Sequence, residues 1–305
     1  MTFLEALASQ CLNVLLVASA ALLIPGLLDW IETRLCGGSG AGLIHGWSDL
    51  LRLVRKETVS AVNASLAAKA APCMCFASVA LSSILVPTFA LGMAFAPVSD
   101  LLVIAGLLAF GHVILSLAAM DSGTSNGGLA AMRMARTAGM AEPALFLLTI
   151  ALGLLGGSTN LDVITGLQRE GALQPATASA LAAVALVLIA LAQQDGCFAR
   201  AAREFSGPDL ALLRATDALR LVLWLDLLFA VFLPVGLAAP DAGVVGWLRG
   251  TAYWLLKLAI CIPALALARV MLGRVWPSET RTYAGIAILA ALLAVLLALA
   301  SSGAT

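Results

Sequence analysis

Eight blocks of apolar residues follow one another along this 305-residue chain, and most are long enough to cross a bilayer. A spanning helix needs about 20 residues at 1.5 Å rise each. The blocks run from Leu4 to Trp30, Ala70 to Ala96, Leu101 to Met120, Glu142 to Leu155, Ala178 to Ala192, Ala211 to Val235, Val244 to Ala268 and Tyr283 to Ala300. With 62% hydrophobic and 11% charged residues, the chain departs from soluble usage, where about a quarter of positions are charged. The expectation is an all-α integral membrane protein of about eight transmembrane helices. It forms one polytopic domain over residues 1–305, because no linker, low-complexity tract or repeat divides it.

The first block lacks a preceding basic residue and is about twice the length of a signal-peptide core, so it reads as a retained span. The block after Glu142 is short and continues a helix that begins near Leu129, with Pro143 marking a kink. Alternate connections differ sharply in basic residues. One set holds Arg34, Arg52, Arg55, Lys56, Lys69, Arg133, Arg136, Arg200, Arg203, Arg214, Arg269, Arg274 and Arg281, and the other only Arg169 and Arg249. The first set is expected to face the cytoplasm. Both termini then lie on the far side, the periplasm for a bacterial inner membrane.

Charge excludes one class of partner. Seventeen bases against seventeen acids leave no basic surface for nucleic acid. The six cysteines, with only Cys73 and Cys75 close together, form neither a disulfide framework nor a four-ligand metal pattern. They read as small apolar fillers.

The informative residues are the ionisable ones within the spans: His112, Glu142, Arg214, Asp217, Arg220, Asp226 and Lys257. Each costs on the order of 2.5–3.5 kcal/mol at a bilayer centre, so such groups face protein or water and pair with one another. Arg214, Asp217 and Arg220 recur every three residues on one helical face, with Asp226 two turns further on. The stripe reads either as an ion-pair ladder joining helices or as a chain of groups that pass protons. Lys257 has no acid within one turn, so its partner comes from another helix, either Glu142 or an acid of the sixth span. His112 reads as a hydrogen-bonded structural residue.

The loop 31–69 contains an amphipathic segment, Trp47 to Glu57. Trp47, Leu50, Leu51 and Val54 form an apolar stripe, and Asp49, Arg52 and Lys56 share a polar face. A helix along the membrane surface fits, either capping the bundle or docking a soluble partner. The preceding Gly37-Gly38-Ser39-Gly40 run lacks the context of a phosphate loop, and the Asn63-Ala64-Ser65 sequon is a chance match.

Asp49-x-x-Arg52-Leu53-x-x-Lys56-Glu57 resembles the Asp-x-x-Lys-Leu-x-x-Lys-Glu signature of respiratory complex I subunit 1, and Arg133 with Glu142 resembles the pair that opens that family's proton path. Asp121-Ser122-Gly123-Thr124, Glu142-Pro143, Gly157-Ser158-Thr159-Asn160 and Glu204-Phe205-Ser206-Gly207 are similar to the hydrogenase branch, the group of formate hydrogenlyase subunit 4 and hydrogenase-4 component C. The resemblance implies a complex I subunit 1-like bundle that anchors soluble iron-sulfur and hydrogenase-like subunits beside antiporter-like membrane subunits. It also implies coupling of their electron transfer to proton or sodium translocation. The chain itself then binds no cofactor and carries no catalytic residue. Iron-sulfur clusters and a possible nickel-iron centre belong to the partners.

The resemblance places Glu142, Arg133, Arg214, Arg220 and Lys257 on the ion path, with Asp217 and Asp226 added by the burial argument. Asp49, Arg52, Lys56, Glu57 and Glu204 become docking positions. The family's acidic loop before Glu204 is replaced by the short basic connection 193–203, Arg269 stands where relatives commonly have Glu, and the Gly-Pro of the first loop is replaced near Gly40-Ala41. A stand-alone secondary transporter, or a subunit of a related complex without hydrogenase activity, are the alternatives. The transporter class favours two corresponding halves with interrupted helices, and none is visible.

Overall fold

The computed structural model describes residues 3–38, 42, 45–59, 64–193, 196–240, 242–275 and 280–302. Ser39, Gly40, Ala41 and Asn63 lie outside the described residues, so the rest of the glycine run, the Gly40-Ala41 replacement and the sequon are not part of the fold account. Among the described residues the long elements are all helical: α1 (Phe3–Leu35), α2 (His45–Val54), α3 (Leu66–Leu85), α4 (Leu101–Asp121), α5 (Ser125–Gly156), α6 (Leu161–Arg169), α7 (Ala176–Ala192), α8 (Cys197–Ala202), α9 (Gly207–Phe232), α10 (Gly243–Val275) and α11 (Thr280–Ser302). Local chemistry sets several boundaries. Asp100, Thr124 and Asn160 cap α4, α5 and α6 by accepting from backbone N–H groups, and Gly157, at φ 66°, closes α5.

Among the described residues, seven helical stretches are long and apolar enough to cross a membrane, which makes this a multi-pass membrane protein: α1, α3, α4, α5, the α7–α8 stretch, α10 and α11. The eighth expected span, α9, has 26 residues and is set apart by its charges, Arg214, Asp217, Arg220 and Asp226. It is tolerated because it is the central helix. It packs on α1, α2, α3, α6, α7, α8 and α10, and nearly every residue from Leu219 to Val231 is buried. The α5, α7 and α11 helices pack tightly on one another, α3 on α4, and α10 on α1. Connections alternate between two ends of the bundle. The basic end carries α2 and α8, and the opposite end carries α6.

Two local expectations change. The second apolar block is not one helix, because α3 stops at Leu85 and Val86, before Pro87, turns extended at ψ 124°. Residues 86–100 form an irregular segment at the opposite end, buried over 86–91 and exposed at Phe95, Pro97 and Val98. Their backbone is satisfied by Ala238, whose N–H donates to the Phe89 carbonyl (2.8 Å) and whose carbonyl accepts from Leu91 (3.1 Å). Gln10 and Asn13 of α1 donate to the Ile84 and Val86 carbonyls at 2.9 and 3.3 Å. Such backbone is allowed at membrane depth only where protein surrounds it. Second, α5 begins at Ser125, four residues before Leu129, and runs through Pro143 as one helix. On α2 the apolar stripe lies outside the bundle, the side that a helix along the membrane surface turns to lipid. Leu53 is buried, whereas Trp47, Leu51 and Val54 are exposed. The helix is turned so that Asp49, one turn before Leu53, faces the bundle and pairs with Arg214.

Candidate charge-bearing sites inside the bundle

The α9 stripe holds together at its centre and opens at its edge. Arg214 forms a close ion pair with Asp49 of α2, and Arg52 donates to the same carboxylate at 2.5 Å. Asp49 therefore ties α2 to α9. Asp217 and Arg220 form an ion pair at 3.7 Å. Arg220 is buried, donates to the Gln193 carbonyl and amide oxygens at 3.1 and 3.3 Å, and lies 4.5 Å over the Phe198 ring. These groups line a chamber of about 290 Å³ at the basic end, with Asp29 and Leu28 of α1, Trp224 of α9 and Arg269 of α10. Arg269 pairs with Glu32 at 3.2 Å, so this base is neutralised locally by α1.

Glu142 is mostly buried on α5, and its Oε1 lies 3.3 Å from Nδ1 of His112 on α4. Sequence spacing hides this pair, since the residues sit on different helices. Gly111 beside His112 lets α3 approach closely. A side chain there would lie 2.8 Å from Ser78 Oγ, and the Cys75 thiol donates to the Gly111 carbonyl at 3.6 Å. Cys75 also lies within electrostatic reach of Arg220 and Asp217. A line of small polar groups on α3 thus stands between the chamber and His112. Arg133 lies elsewhere: it is exposed on α5, nine residues before Glu142, which places it about half a turn round and roughly 13 Å along the axis.

Asp226 and Lys257 belong to a third cluster. Asp226 is buried and accepts from Trp254 Nε1 at 2.8 Å. Lys257 donates to the Leu233 carbonyl at 2.5 Å, at the C-terminal end of α9 where carbonyls lack helical partners, and lies 5.8 Å over the Phe229 ring. Its direct partner is a backbone oxygen. Asp226 is the acid in its surroundings, while Glu142 belongs to the α4–α5 contact.

The expected docking residues Lys56 and Glu57 are exposed just after α2, and Arg52 is exposed on it. Their chain is clamped by the Glu204-Phe205-Ser206-Gly207 turn. The Ser206 hydroxyl accepts from Val59 N at 2.8 Å and donates to Val59 O at 3.0 Å. Gly207, at φ 58°, leaves room for the Glu57 carbonyl carbon, which a side chain would meet at 2.9 Å. Glu204 accepts from Thr124 at 2.8 Å, joining the α8–α9 turn to the cap of α5. Of the connection 193–203, Gln194 and Asp195 lie outside the described residues, and the remainder is largely the short helix α8.

These features first define a class: a multi-pass membrane protein that gathers its charges around one central buried helix. The chain belongs to the NADH dehydrogenase family, of the subunit 1-like kind, which it matches over residues 12–300. It is 25% identical over 270 residues to hydrogenase-4 component C of Escherichia coli (strain K12), covering 83% of each chain. Its fold is similar to that of a chain in the membrane-bound sulfane sulfur reductase, an archaeal respiratory membrane complex, with a TM-score of 0.69 and 17% identity over 95% of this chain and 98% of that one.

Proposed function

We propose that this chain is the non-redox membrane subunit of a hydrogenase-like or complex I-like assembly, coupling electron transfer in soluble partners to proton or sodium movement. The observation that carries this reading is the Glu142–His112 pair, a buried carboxylate facing the one side chain whose ordinary pKa lies near neutrality. Ions enter at the chamber of Arg214, Asp217 and Arg220, pass Cys75 and Ser78, and reach His112 and Glu142. A charge change in the soluble arm shifts the proton affinities along this line by linkage. The basic end, with Arg52, Lys56, Glu57 and Glu204, faces the cytoplasm and receives iron-sulfur and hydrogenase-like subunits, which hold any clusters or nickel-iron centre. Antiporter-like subunits lie beside it in a bacterial inner membrane, and both termini are periplasmic.

The test is electron-transfer-driven ion uptake by inverted membrane vesicles. Glu142→Gln is expected to lower uptake by about tenfold or more while the assembly still forms, as loss of an essential proton-transfer group does. Unchanged uptake would overturn the reading. Purification in mild detergent separates the transporter alternative, since a transporter comes away alone and a subunit brings iron-sulfur proteins with it.

A further inference from the structure

The chamber at the basic end is not finished by protein alone. Arg220 is 5% exposed at its side chain, yet its Nε makes no hydrogen bond among the described residues, and its Nη1 has only the 3.7 Å ion pair to Asp217. A buried guanidinium with open donors requires an acceptor. Asp29, on the opposite wall, forms no ion pair among the described residues, and Arg269 and His45 are the bases in its surroundings. The other two arginines are already matched, Arg214 by Asp49 and Arg269 by Glu32.

A guest therefore meets two open guanidinium donors, on a base whose ion pair with Asp217 is long at 3.7 Å, and one carboxylate outside any ion pair among the described residues. A simple anion satisfies Arg220 and is repelled by Asp29. A cation has the reverse difficulty, and a neutral head leaves both charges unmatched. One water needs only about 10–15 Å³, so about 290 Å³ accommodates a much larger polar group.

An apolar groove lies beside the chamber. A groove of about 70 Å³ runs between α7, α9 and α10, lined solely by Leu186, Val187, Ala190, Leu191, Leu221, Trp224, Leu225, Leu228 and Leu265. Leu221 and Trp224 line both spaces, so the groove adjoins the chamber along α9.

We infer that chamber and groove together bind one zwitterionic phospholipid, its phosphate on Arg220, its ammonium on Asp29 and an acyl chain in the groove. The inference does not rest on ion conduction, and the lipid is a resident of the junction of α1, α7, α9 and α10.

The experiment is native mass spectrometry of the delipidated full-length chain, titrated separately with dioleoyl phosphatidylethanolamine, dioleoyl phosphatidylglycerol and inorganic phosphate. Wild type is expected to hold one phosphatidylethanolamine with at least about fivefold preference over phosphatidylglycerol. Asp29→Asn should erase that preference and leave phosphatidylglycerol binding in place. Ala190→Trp, which fills the groove from a half-buried position on α7, should weaken both lipids roughly tenfold. Equal binding of the two lipids by wild type, a silent Ala190→Trp, inorganic phosphate competing as well as lipid, or a quinone copurifying in the site would each overturn the proposal.

Discussion

Two buried carboxylates in this bundle have opposite surroundings. Glu142 faces His112, whose imidazole can donate or accept through its nitrogens, across the α4–α5 contact. Asp226 faces Trp254, a donor that never gives up its proton, and the nearby Lys257 is occupied with the end of α9. The first arrangement sets a carboxylate against a ring nitrogen that can either donate or accept a hydrogen bond. The second fixes a carboxylate and locks α9 to α10. An intramembrane acid is thus not a relay by virtue of depth alone, and the identity of its partner decides.

That contrast is broken most decisively by substitution. Glu142→Gln should abolish most coupling with little change in thermal stability, read by ion uptake and by melting of the purified assembly. Asp226→Ala should do the reverse, costing about 1–3 kcal/mol because the Trp254 N–H is left buried without an acceptor; a melt indistinguishable from wild type would show that Asp226 does not lock the helices. Asp226→Asn keeps an oxygen for Trp254 and should lose less than about 1 kcal/mol. Gly207→Ala strains φ 58° and collides with the Glu57 carbonyl, so it should cost about 1–2 kcal/mol and weaken retention of soluble subunits in a pull-down.

The smallest effect lies at the opposite end, outside the spans. Burial pushes the Asp162 carboxyl above its ordinary 3.8, against the Gly92 N–H that favours the charged form. Because the folded protein holds this proton more tightly than the unfolded chain, stability from this group is full below the ordinary value and declines as pH rises through the raised one. Asp162→Asn should therefore flatten the melting temperature slightly between acidic and neutral pH. An unchanged slope would mean that this carboxyl does not titrate differently on folding.

The spans were legible because apolar blocks of bilayer length leave little choice of solvent, and the alternating ends followed from where the bases fall. The interruption at Val86 and Pro87 was hidden in a block whose composition stays apolar while its backbone leaves the helix. The α9 stripe announced itself through Arg214, Asp217 and Arg220, since spacing on one helix is written in the sequence. Its partners were not: Asp49 lies on another helix, and which bundle residue meets the polar face of α2 is not written in the spacing. His112 became meaningful only when α4 was laid beside α5. Lys257 called for a cross-helix partner, and a free carbonyl at a helix end met that need without leaving a sequence signature.

The most direct measurement is the number of ions moved per electron by the intact assembly in sealed vesicles, compared between Glu142→Gln and Asp226→Asn. The account predicts a ratio near zero for the first and close to wild type for the second. Equal losses in both, or a normal ratio in Glu142→Gln, would contradict the assignment of transfer to the histidine-paired carboxylate.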